Sequence, residues 1–302
     1  MIVAEVVRSG FVESVHHGSV AVLGGESRGD VTRPIFPRSA NKPLQTVGML
    51  RAGLVPRDGA DLALISGSHY GEPLHVRRVR DILEAAGLQE GALRCPAALP
   101  VSETARDAWL RAGGGPEPVL MNCSGKHAGM LATCVANGWP LESYLDPKHP
   151  LQLAIADAVT DLAGEPIAAT GVDGCGAPVL AFSLTALAGA FLRLVTAEPG
   201  THERWVADEM RAHPELVAGT AADDTVLMGA VPGLLAKGGA EGVVAVAMPG
   251  TGAVAIKIDD GAQRARTPVL LDELRRLGVG VPVIEELVLG RGEPVGEVRA
   301  VR

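Results

Sequence analysis

The stretch IVAEVVRSGFVESVHHGSVAVL, residues 2–23, is the part of the sequence that most clearly indicates the fold. Valine is concentrated in three short runs, which are residues 2–8, 11–16 and 19–23. The turn-forming pairs Ser9-Gly10 and His17-Gly18 separate these runs. Short runs rich in β-branched residues between turn residues predict a β-meander at the start of the chain.

A second strand region is predicted near the other end, with a hairpin of Val243–Met248 and Ala253–Ile258 and a final strand at 295–301. Between the two regions, apolar spacing predicts one short strand, Asp61–Ile65, and a series of helices. These helices are 39–52, 74–86, 102–112, 126–137, 151–162, 184–194, 204–212 and 267–277. This order favours an α+β fold, an antiparallel sheet with flanking helices, over a doubly wound fold. Without repeats or a low-complexity linker, residues 1–302 are predicted to be one domain.

Composition excludes several classes of function. The net charge of -8 and the absence of a basic run disfavour nucleic acid and anionic membranes as partners. No segment reaches the ~18 continuous apolar residues of a membrane span, and Met1–Gly10 lacks the pattern of a signal peptide. Four cysteines without a secretion signal indicate reduced thiols, so a cytoplasmic protein is expected.

A serine and a lysine are spaced for nucleophilic catalysis. Ser39 and Lys42 are three residues apart, which places them on one face of the predicted helix. A neutral lysine can take the proton of a serine hydroxyl, which is a weak nucleophile without such a base. The same Ser-x-x-Lys spacing occurs in penicillin-binding proteins and serine β-lactamases. The alternative is a helix-capping Ser39 beside a solvated Lys42.

A second hydroxyl and a second amine are weaker candidates. Ser68 lies in the loop 66–72, where it is either a nucleophile, a binding hydroxyl or a helix cap. Lys257 lies in an apolar strand, where it is either a surface residue or an inward amine that loses its charge. Lys237-Gly238-Gly239 resembles the Lys-Thr-Gly box of β-lactamases but lacks the threonine, and it is interpreted as a turn.

Two glycine-flanked cysteines predict a metal site. Thiolates are preferred zinc ligands, and Cys123 and Cys175 are too few to close a site by themselves. Lys126, as the neutral amine, and His127 are rival candidates for a third ligand. Two buried thiols without a metal, or a disulfide, are the alternatives. Asp173, next to Gly174-Cys175, either binds an ammonium group or forms a turn.

Beyond these separate signals, several motifs together resemble the rhizobial-type (class 3) L-asparaginases. They occur in family order and cover almost the whole chain, and the block 122–130 is the most specific of them. The motifs are Pro37-Arg38-Ser39-Ala40-Asn41-Lys42, Gly67-Ser68-His69-Tyr70-Gly71-Glu72-Pro73, Asn122-Cys123-Ser124-Gly125-Lys126-His127-Ala128-Gly129-Met130, Asp173-Gly174-Cys175-Gly176, and His213-Pro214-Glu215 through Val217-Ala218-Gly219.

The resemblance implies a fold similar to serine β-lactamases and penicillin-binding proteins, usually as a homodimer, and hydrolysis of L-asparagine to L-aspartate and ammonia. It implies two serine-lysine pairs, Ser39 with Lys42 and Ser68 with Lys257. It implies a zinc ion held by three residues, and a further set that contacts the substrate or supports the site. The zinc ligands are Cys123, Lys126 and Cys175, and the substrate-binding set is Arg38, His127 and Asp173.

Two positions differ from the family pattern, which often has serine where this chain has Gly67 and Tyr70. The phenol of Tyr70 leaves the preference for asparagine over glutamine open, and either Ser39 or Ser68 carries the acyl group. Two other functions are alternatives to amide hydrolysis. One is that of a β-lactamase-like or peptidase-like acylase, and the other is that of a non-catalytic amino-acid or metal-binding protein.

Overall fold

The computed structural model describes residues 1–301 and confirms an α+β fold built on an antiparallel sheet. The strands are β1 (Ile2–Arg8), β2 (Phe11–Leu23), β3 (Pro34–Ile35), β4 (Ala169–Val172), β5 (Pro178–Ser183), β6 (Leu235–Gly239), β7 (Val243–Met248), β8 (Gly252–Ile258), β9 (Leu287–Gly290) and β10 (Glu293–Ala300). Seven of them form the main sheet in the order β6-β7-β8-β2-β1-β10-β9, and β3-β5-β4 form a small second sheet.

The helices lie mainly between the two strand regions, as the sequence predicts. They are α1 (Lys42–Arg51), α2 (Gly59–Ile65), α3 (Pro73–Ala85), α4 (Glu103–Arg111), α5 (Ser124–Asn137), α6 (Pro150–Ala163), α7 (Leu184–Thr196), α8 (His202–Ala212), α9 (Pro214–Val217), α10 (Asp223–Ala230) and α11 (Arg266–Arg276). Among residues 1–301, no helix combines the length and the apolar character needed to cross a bilayer.

The core lies on both faces of the sheet at β7 and β8. Nearly every residue of these two strands is buried, although successive side chains of a strand point to opposite faces. Both faces must therefore be covered, and α7 and α11 both pack against these strands. The apolar side of α7, which includes Leu187 and Phe191, is fully buried.

The N-terminal strands differ from the predicted meander. β2 runs without a break from Phe11 to Leu23, so His17-Gly18 is not a turn. Gly18 pairs with Ile258 in β8, and a Cβ atom on Gly18 would lie 2.5 Å from the carbonyl oxygen of Lys257. The glycine therefore permits close approach of two strands, which is the other common role of glycine in a sheet.

Two further segments also differ from the prediction, and both are buried. The segment predicted as a strand at Asp61–Ile65 belongs to helix α2, and every residue from Ala60 to Ile65 is buried. A helix that is buried on all sides shows no polar face, so its apolar run resembles that of a strand. Lys237-Gly238-Gly239 is not a turn but the end of β6, which is buried along its whole length.

Candidate active site

A cavity of about 310 Å³ opens where β6 meets the loops before α1 and α3. Its lining combines apolar surface with hydroxyl, amine, carboxylate and guanidinium groups. These groups come from Ser39, Ser68, Tyr70, Asn122, Asp223, Asp224, Lys237, Gln263 and Arg266. Both candidate serines thus face one cavity, which is large enough for a small-molecule substrate.

Ser68 is held against Lys42 at the wall of this cavity. Lys42 is 1% exposed, and its Nζ donates to Ser68 Oγ at 3.0 Å and to the carbonyl oxygen of Gly67 at 2.5 Å. The backbone N–H of Ser68 donates to the carbonyl oxygen of Val217 at 2.6 Å. A Cβ on Gly67 would lie 2.7 Å from that same oxygen, so the backbone here leaves no room for a side chain. The Ser68 hydroxyl therefore has a buried amine within the reach of proton transfer.

Ser39 also lines the cavity, but it does not lie in the predicted helix. It lies in a 3₁₀ turn, Arg38–Asn41, that precedes α1. Strand β6 passes directly over this turn, because a Cβ on Gly239 would lie 2.6 Å from the carbonyl oxygen of Pro37. Within residues 1–301, Lys42 Nζ donates to Ser68 and Gly67 and forms no hydrogen bond with Ser39. The predicted pairing of Ser39 with Lys42 is therefore not formed in this structure.

The structure does not bring Lys257 to the cavity, which corrects that prediction. Lys257 Nζ donates to the carbonyl oxygens of Glu241 and Ile258, at 2.5 and 2.8 Å. It lies on β8, paired with Ser19 and Val243, and it is not among the residues that line the cavity.

The amine that lines the cavity beside the two serines is Lys237. The sequence analysis did not identify this residue, because it interpreted Lys237-Gly238-Gly239 as a turn. Lys237 is 1% exposed, and its Nζ donates to the carbonyl oxygen of Gly238 at 2.6 Å and lies 3.7 Å from Asp224 Oδ2. Burial lowers the pKa of Lys237 to about 8, although the Asp224 carboxylate opposes this shift. The signal available in the sequence was the apolar run Leu234-Leu235-Ala236 directly before it, which is typical of a buried strand.

The two predicted thiol ligands and the predicted amine ligand meet beside this cavity. Cys123 directly precedes α5, and Lys126 lies in the first turn of that helix. Lys126 Nζ donates to Cys175 Sγ at 3.2 Å. Cys123 Sγ lies 3.3 Å from Asn122 Oδ1, and Cys175 and Lys42 are close enough to Cys123 to affect its pKa. All four cysteines are free, so the disulfide alternative is not formed, and Cys95 and Cys134 are also buried.

The charges of the two sulfurs differ. The hydrogen bond from Cys175 lowers the pKa of Cys123 well below that of an ordinary thiol, and the nearby Lys42 and Lys126 ammonium groups add to the shift despite burial. The same hydrogen bond and burial raise the pKa of Cys175. Of the two sulfurs, Cys123 is therefore the one that loses its proton more readily.

One distance within this group can be compared with the geometry of a zinc site. Zn–S bonds of about 2.3 Å and Zn–N bonds of about 2.0–2.1 Å place neighbouring ligands of a tetrahedron roughly 3.5 Å apart. The observed 3.2 Å between Lys126 Nζ and Cys175 Sγ is close to that separation. Within residues 1–301, no cluster of three histidine, cysteine or acidic side chains offers another metal site. A zinc ion here would need the unusual amine ligand of Lys126.

The three predicted substrate-binding residues lie around the thiols and not in the cavity wall. Asp173 accepts from Arg38 Nε at 2.8 Å and from the backbone N–H of Gly174 at 2.8 Å. Burial alone would raise the pKa of Asp173, but Lys126 and Arg38 lower it. His127 Nδ1 lies 2.6 Å from the Tyr144 hydroxyl, and burial together with Lys126 and Lys42 lowers its pKa well below the usual range. Substrate contact by these residues stays a prediction.

No curated protein matches this chain significantly. Among solved structures, one of Mglu in its native form at 4.3 M NaCl has a TM-score of 0.45 and 17% identity. That match covers 86% of this chain, which spans only 60% of the length of the Mglu chain. A β-lactamase from Mycobacterium bovis has a TM-score of 0.41 and 15% identity, over 86% of this chain and 94% of its own.

A family comparison covers far more of the sequence. The model of the family described as L-asparaginase II matches residues 4–300. This range includes the loops of both serines, the buried Lys42 and Lys237, and the two cysteines with Lys126. The chain therefore belongs to the L-asparaginase II family.

Proposed function

We propose that this protein hydrolyses L-asparagine to L-aspartate and ammonia through an acyl-enzyme ester on a serine. Membership of the L-asparaginase II family supports amide hydrolysis in general. The observation that carries the serine-lysine chemistry is the 3.0 Å hydrogen bond from Lys42 Nζ to Ser68 Oγ at the cavity wall. A serine hydroxyl requires such a base, because the neutral hydroxyl is a poor nucleophile.

The proposed reaction has two halves. In the first, a serine oxygen attacks the side-chain amide carbon of asparagine while its proton passes to Lys42, which must be neutral to accept it. The C–N bond then breaks, and a lysine ammonium protonates the leaving nitrogen so that it departs as ammonia. In the second half, a water molecule attacks the ester and returns the proton to the serine. L-Aspartate leaves with the oxygen atom of that water.

Two amines serve these proton transfers in the proposal. Lys42 contacts Ser68 directly, and Lys237 faces the same cavity with its pKa lowered to about 8 by burial. A group with a pKa near the working pH exchanges protons in both directions at little cost, which is what an alternating acid and base requires. We assign the protonation of the leaving nitrogen to Lys237.

Ammonia release separates this proposal from its competitors. We expect the purified protein to release ammonia from L-asparagine, much less from L-glutamine, and to leave the β-lactam nitrocefin intact. The extra methylene of glutamine displaces the amide carbon, and a misplacement of about 1 Å can cost ~100-fold in rate. Hydrolysis of nitrocefin without that of asparagine would favour a β-lactamase-like acylase, which the Lys237-Gly238-Gly239 segment on a cavity strand also fits.

We further propose that Cys123, Lys126 and Cys175 hold a zinc ion. Zinc in this position would supply a fixed positive charge beside the serines and a Lewis acid for a carbonyl oxygen or a water. Binding would require that both sulfurs and the amine lose their protons, so affinity should rise with pH and binding should release protons.

Metal analysis tests the zinc proposal without an activity assay. Protein prepared without chelators should contain about one zinc per chain, and Cys175→Ala should reduce the content to background. Cys134→Ala is the matched control, because Cys134 is an equally buried thiol on α5 with no part in the proposed site. Equal zinc contents in both variants, or none in the parent protein, would contradict this ligand set.

We also propose that the protein is a homodimer in the cytoplasm. The resemblance to rhizobial-type enzymes supports the dimer, and four free cysteines agree with a reducing compartment.

A further inference from the structure

Arg266 differs from the other charged groups of the cavity because its guanidinium has no hydrogen-bond acceptor. Lys42 donates to Ser68 and Gly67, and Lys237 donates to Gly238. Arg266 forms no side-chain hydrogen bond within residues 1–301, and its contact with Asp223, Nη2 to Oδ2, is long at 3.6 Å. Its side chain is nevertheless only 16% exposed. An arginine that is this buried normally has its five N–H donors paired.

The nearby carboxylates do not satisfy this guanidinium. Asp223 Oδ2 already accepts a hydrogen bond from the Thr267 hydroxyl. Asp224 Oδ2 accepts from the backbone N–H of Gly238 at 2.8 Å and lies near Lys237. One oxygen of each carboxylate is therefore engaged by another partner, while Arg266 lines the cavity with only its long contact to Asp223.

The backbone of β6 is shaped to admit this side chain. A Cβ atom on Gly238 would lie 2.5 Å from Arg266 Nη1 and 3.3 Å from Asp224 Oδ1. Only a glycine at this strand position lets the guanidinium lie against the strand beside Lys237. Gly238 is thus a close-approach glycine whose partner is a charged side chain of the cavity.

Arg266 also contributes little to its own helix. It is the first residue of α11, whose first turn contains no acidic side chain. A cation near a helix N-terminus is opposed by the helix dipole. Residues that break a local rule of this kind are commonly found at functional sites.

We propose that Arg266 binds the α-carboxylate of the amino-acid substrate and so fixes the position of the amide at the serines. This inference rests on the proposed function, because it names the carboxylate of that substrate. Guanidinium and carboxylate pair through two parallel N–H···O bonds, which set both position and orientation. Arg38, the cation favoured by the sequence, is already paired with Asp173 at 2.8 Å and does not line the cavity.

Paired substrates test this assignment. L-Asparagine and 3-aminopropanamide differ only in the α-carboxylate, and succinamate lacks only the α-ammonium. We expect Arg266→Gln to lower kcat/KM by about 10- to 100-fold for L-asparagine and succinamate, which carry the carboxylate, and to leave kcat/KM for 3-aminopropanamide nearly unchanged. A loss of this size is typical of a lost hydrogen bond between charged groups. Most of the loss should appear in KM. Arg266→Lys should be intermediate, because it keeps the charge without the fork.

Arg275→Gln is the matched control, because Arg275 is an exposed arginine on the same helix. Arg275→Gln should leave the ratio of kcat/KM for L-asparagine to kcat/KM for 3-aminopropanamide as it is in the parent protein. An equal loss for all three substrates in Arg266→Gln, with a lowered melting temperature, would overturn the proposal in favour of a structural role.

A binding experiment separates this inference from the proposed reaction. Calorimetry should show that L-aspartate binds the parent protein and Arg275→Gln alike and binds Arg266→Gln about 10-fold or more weakly. β-Alanine, which lacks the α-carboxylate, should not show this difference. If the protein releases no ammonia but L-aspartate binding depends on Arg266, the reaction is wrong and the subsite stands. L-Aspartate binding that is absent, or equal in all variants, overturns the subsite.

Discussion

Lys237→Met should lower kcat/KM for L-asparagine by about 10²- to 10⁴-fold, the usual contribution of a general acid or base, whereas Lys257→Met should lower it less than about threefold. The two lysines form a matched pair, since both lie on buried strands of the same sheet. Lys237 lines the cavity with both serines, while Lys257 donates its hydrogen bonds to the backbone at Glu241 and Ile258. Methionine keeps the length of either side chain and removes only the charge and the proton.

The pH dependence gives this prediction a second measurement. Burial lowers the pKa of Lys237 to about 8, so the amine is mostly protonated at pH 7 and mostly neutral at pH 9. If the leaving nitrogen takes its proton from Lys237, kcat should fall as the pH rises through about 8. That limb of the profile should be absent from Lys237→Met and present in Lys257→Met. A parent-like profile in Lys237→Met would exclude Lys237 from proton transfer, and a large loss in Lys257→Met would restore the pairing expected from the sequence.

The hairpins and most helices follow from local patterns in the sequence. β7 and β8 are apolar runs that contain several β-branched residues and are joined by a short glycine turn, and the structure pairs Val246 with Val254 in that hairpin. Pro43 is acceptable in α1 because it lies in the first turn, where its missing N–H leaves no bond unmade. These features depend on residues close together in the chain, which is why local spacing is sufficient to predict them.

The differences arise where distant segments decide the conformation. Gly18 and Gly238 look like turn residues in the sequence, but each permits close approach of a group from far along the chain. The apolar run of α2 resembled a strand because neighbouring elements cover it on every side. None of these contacts can be derived from spacing alone, because the contacting groups are distant in sequence.

The same limit applies to the site. Spacing predicted that Ser39 and Lys42 would bond each other, but Lys42 Nζ donates instead to Ser68 and to the carbonyl oxygen of Gly67. The loop before α3 then places Ser68 against Lys42 across 26 residues. By contrast, motif resemblance identified Cys123, Lys126 and Cys175, and the structure brings these residues into contact. Arg266 belongs to no motif, and only the cavity reveals it.

Ser68→Ala and Ser39→Ala should each remove most turnover of L-asparagine, by about 10³-fold or more, since one hydroxyl is the nucleophile and the other relays its proton. An enzyme whose catalytic side chains act as a unit loses nearly all activity when any one of these side chains is removed. The hydrogen bond from Lys42 supports Ser68 as the nucleophile in the proposed reaction, with Ser39 as the relay. Ser66→Ala is the matched control, because that buried hydroxyl of the same loop bonds Thr46 and not the cavity. It should cost about 1 kcal/mol of unfolding free energy and little activity.

The position of the ester decides between the two serines. Substrate mixed rapidly with the parent protein and quenched in acid during the first turnovers should leave an aspartyl ester on the Ser68 peptide, detectable by mass spectrometry. The ester should be absent from Ser68→Ala and present in Ser66→Ala. An ester on Ser39 would instead make Ser68 the relay between that oxygen and Lys42. Retention of more than about a tenth of the parent turnover by Ser39→Ala and by Ser68→Ala would contradict serine catalysis altogether.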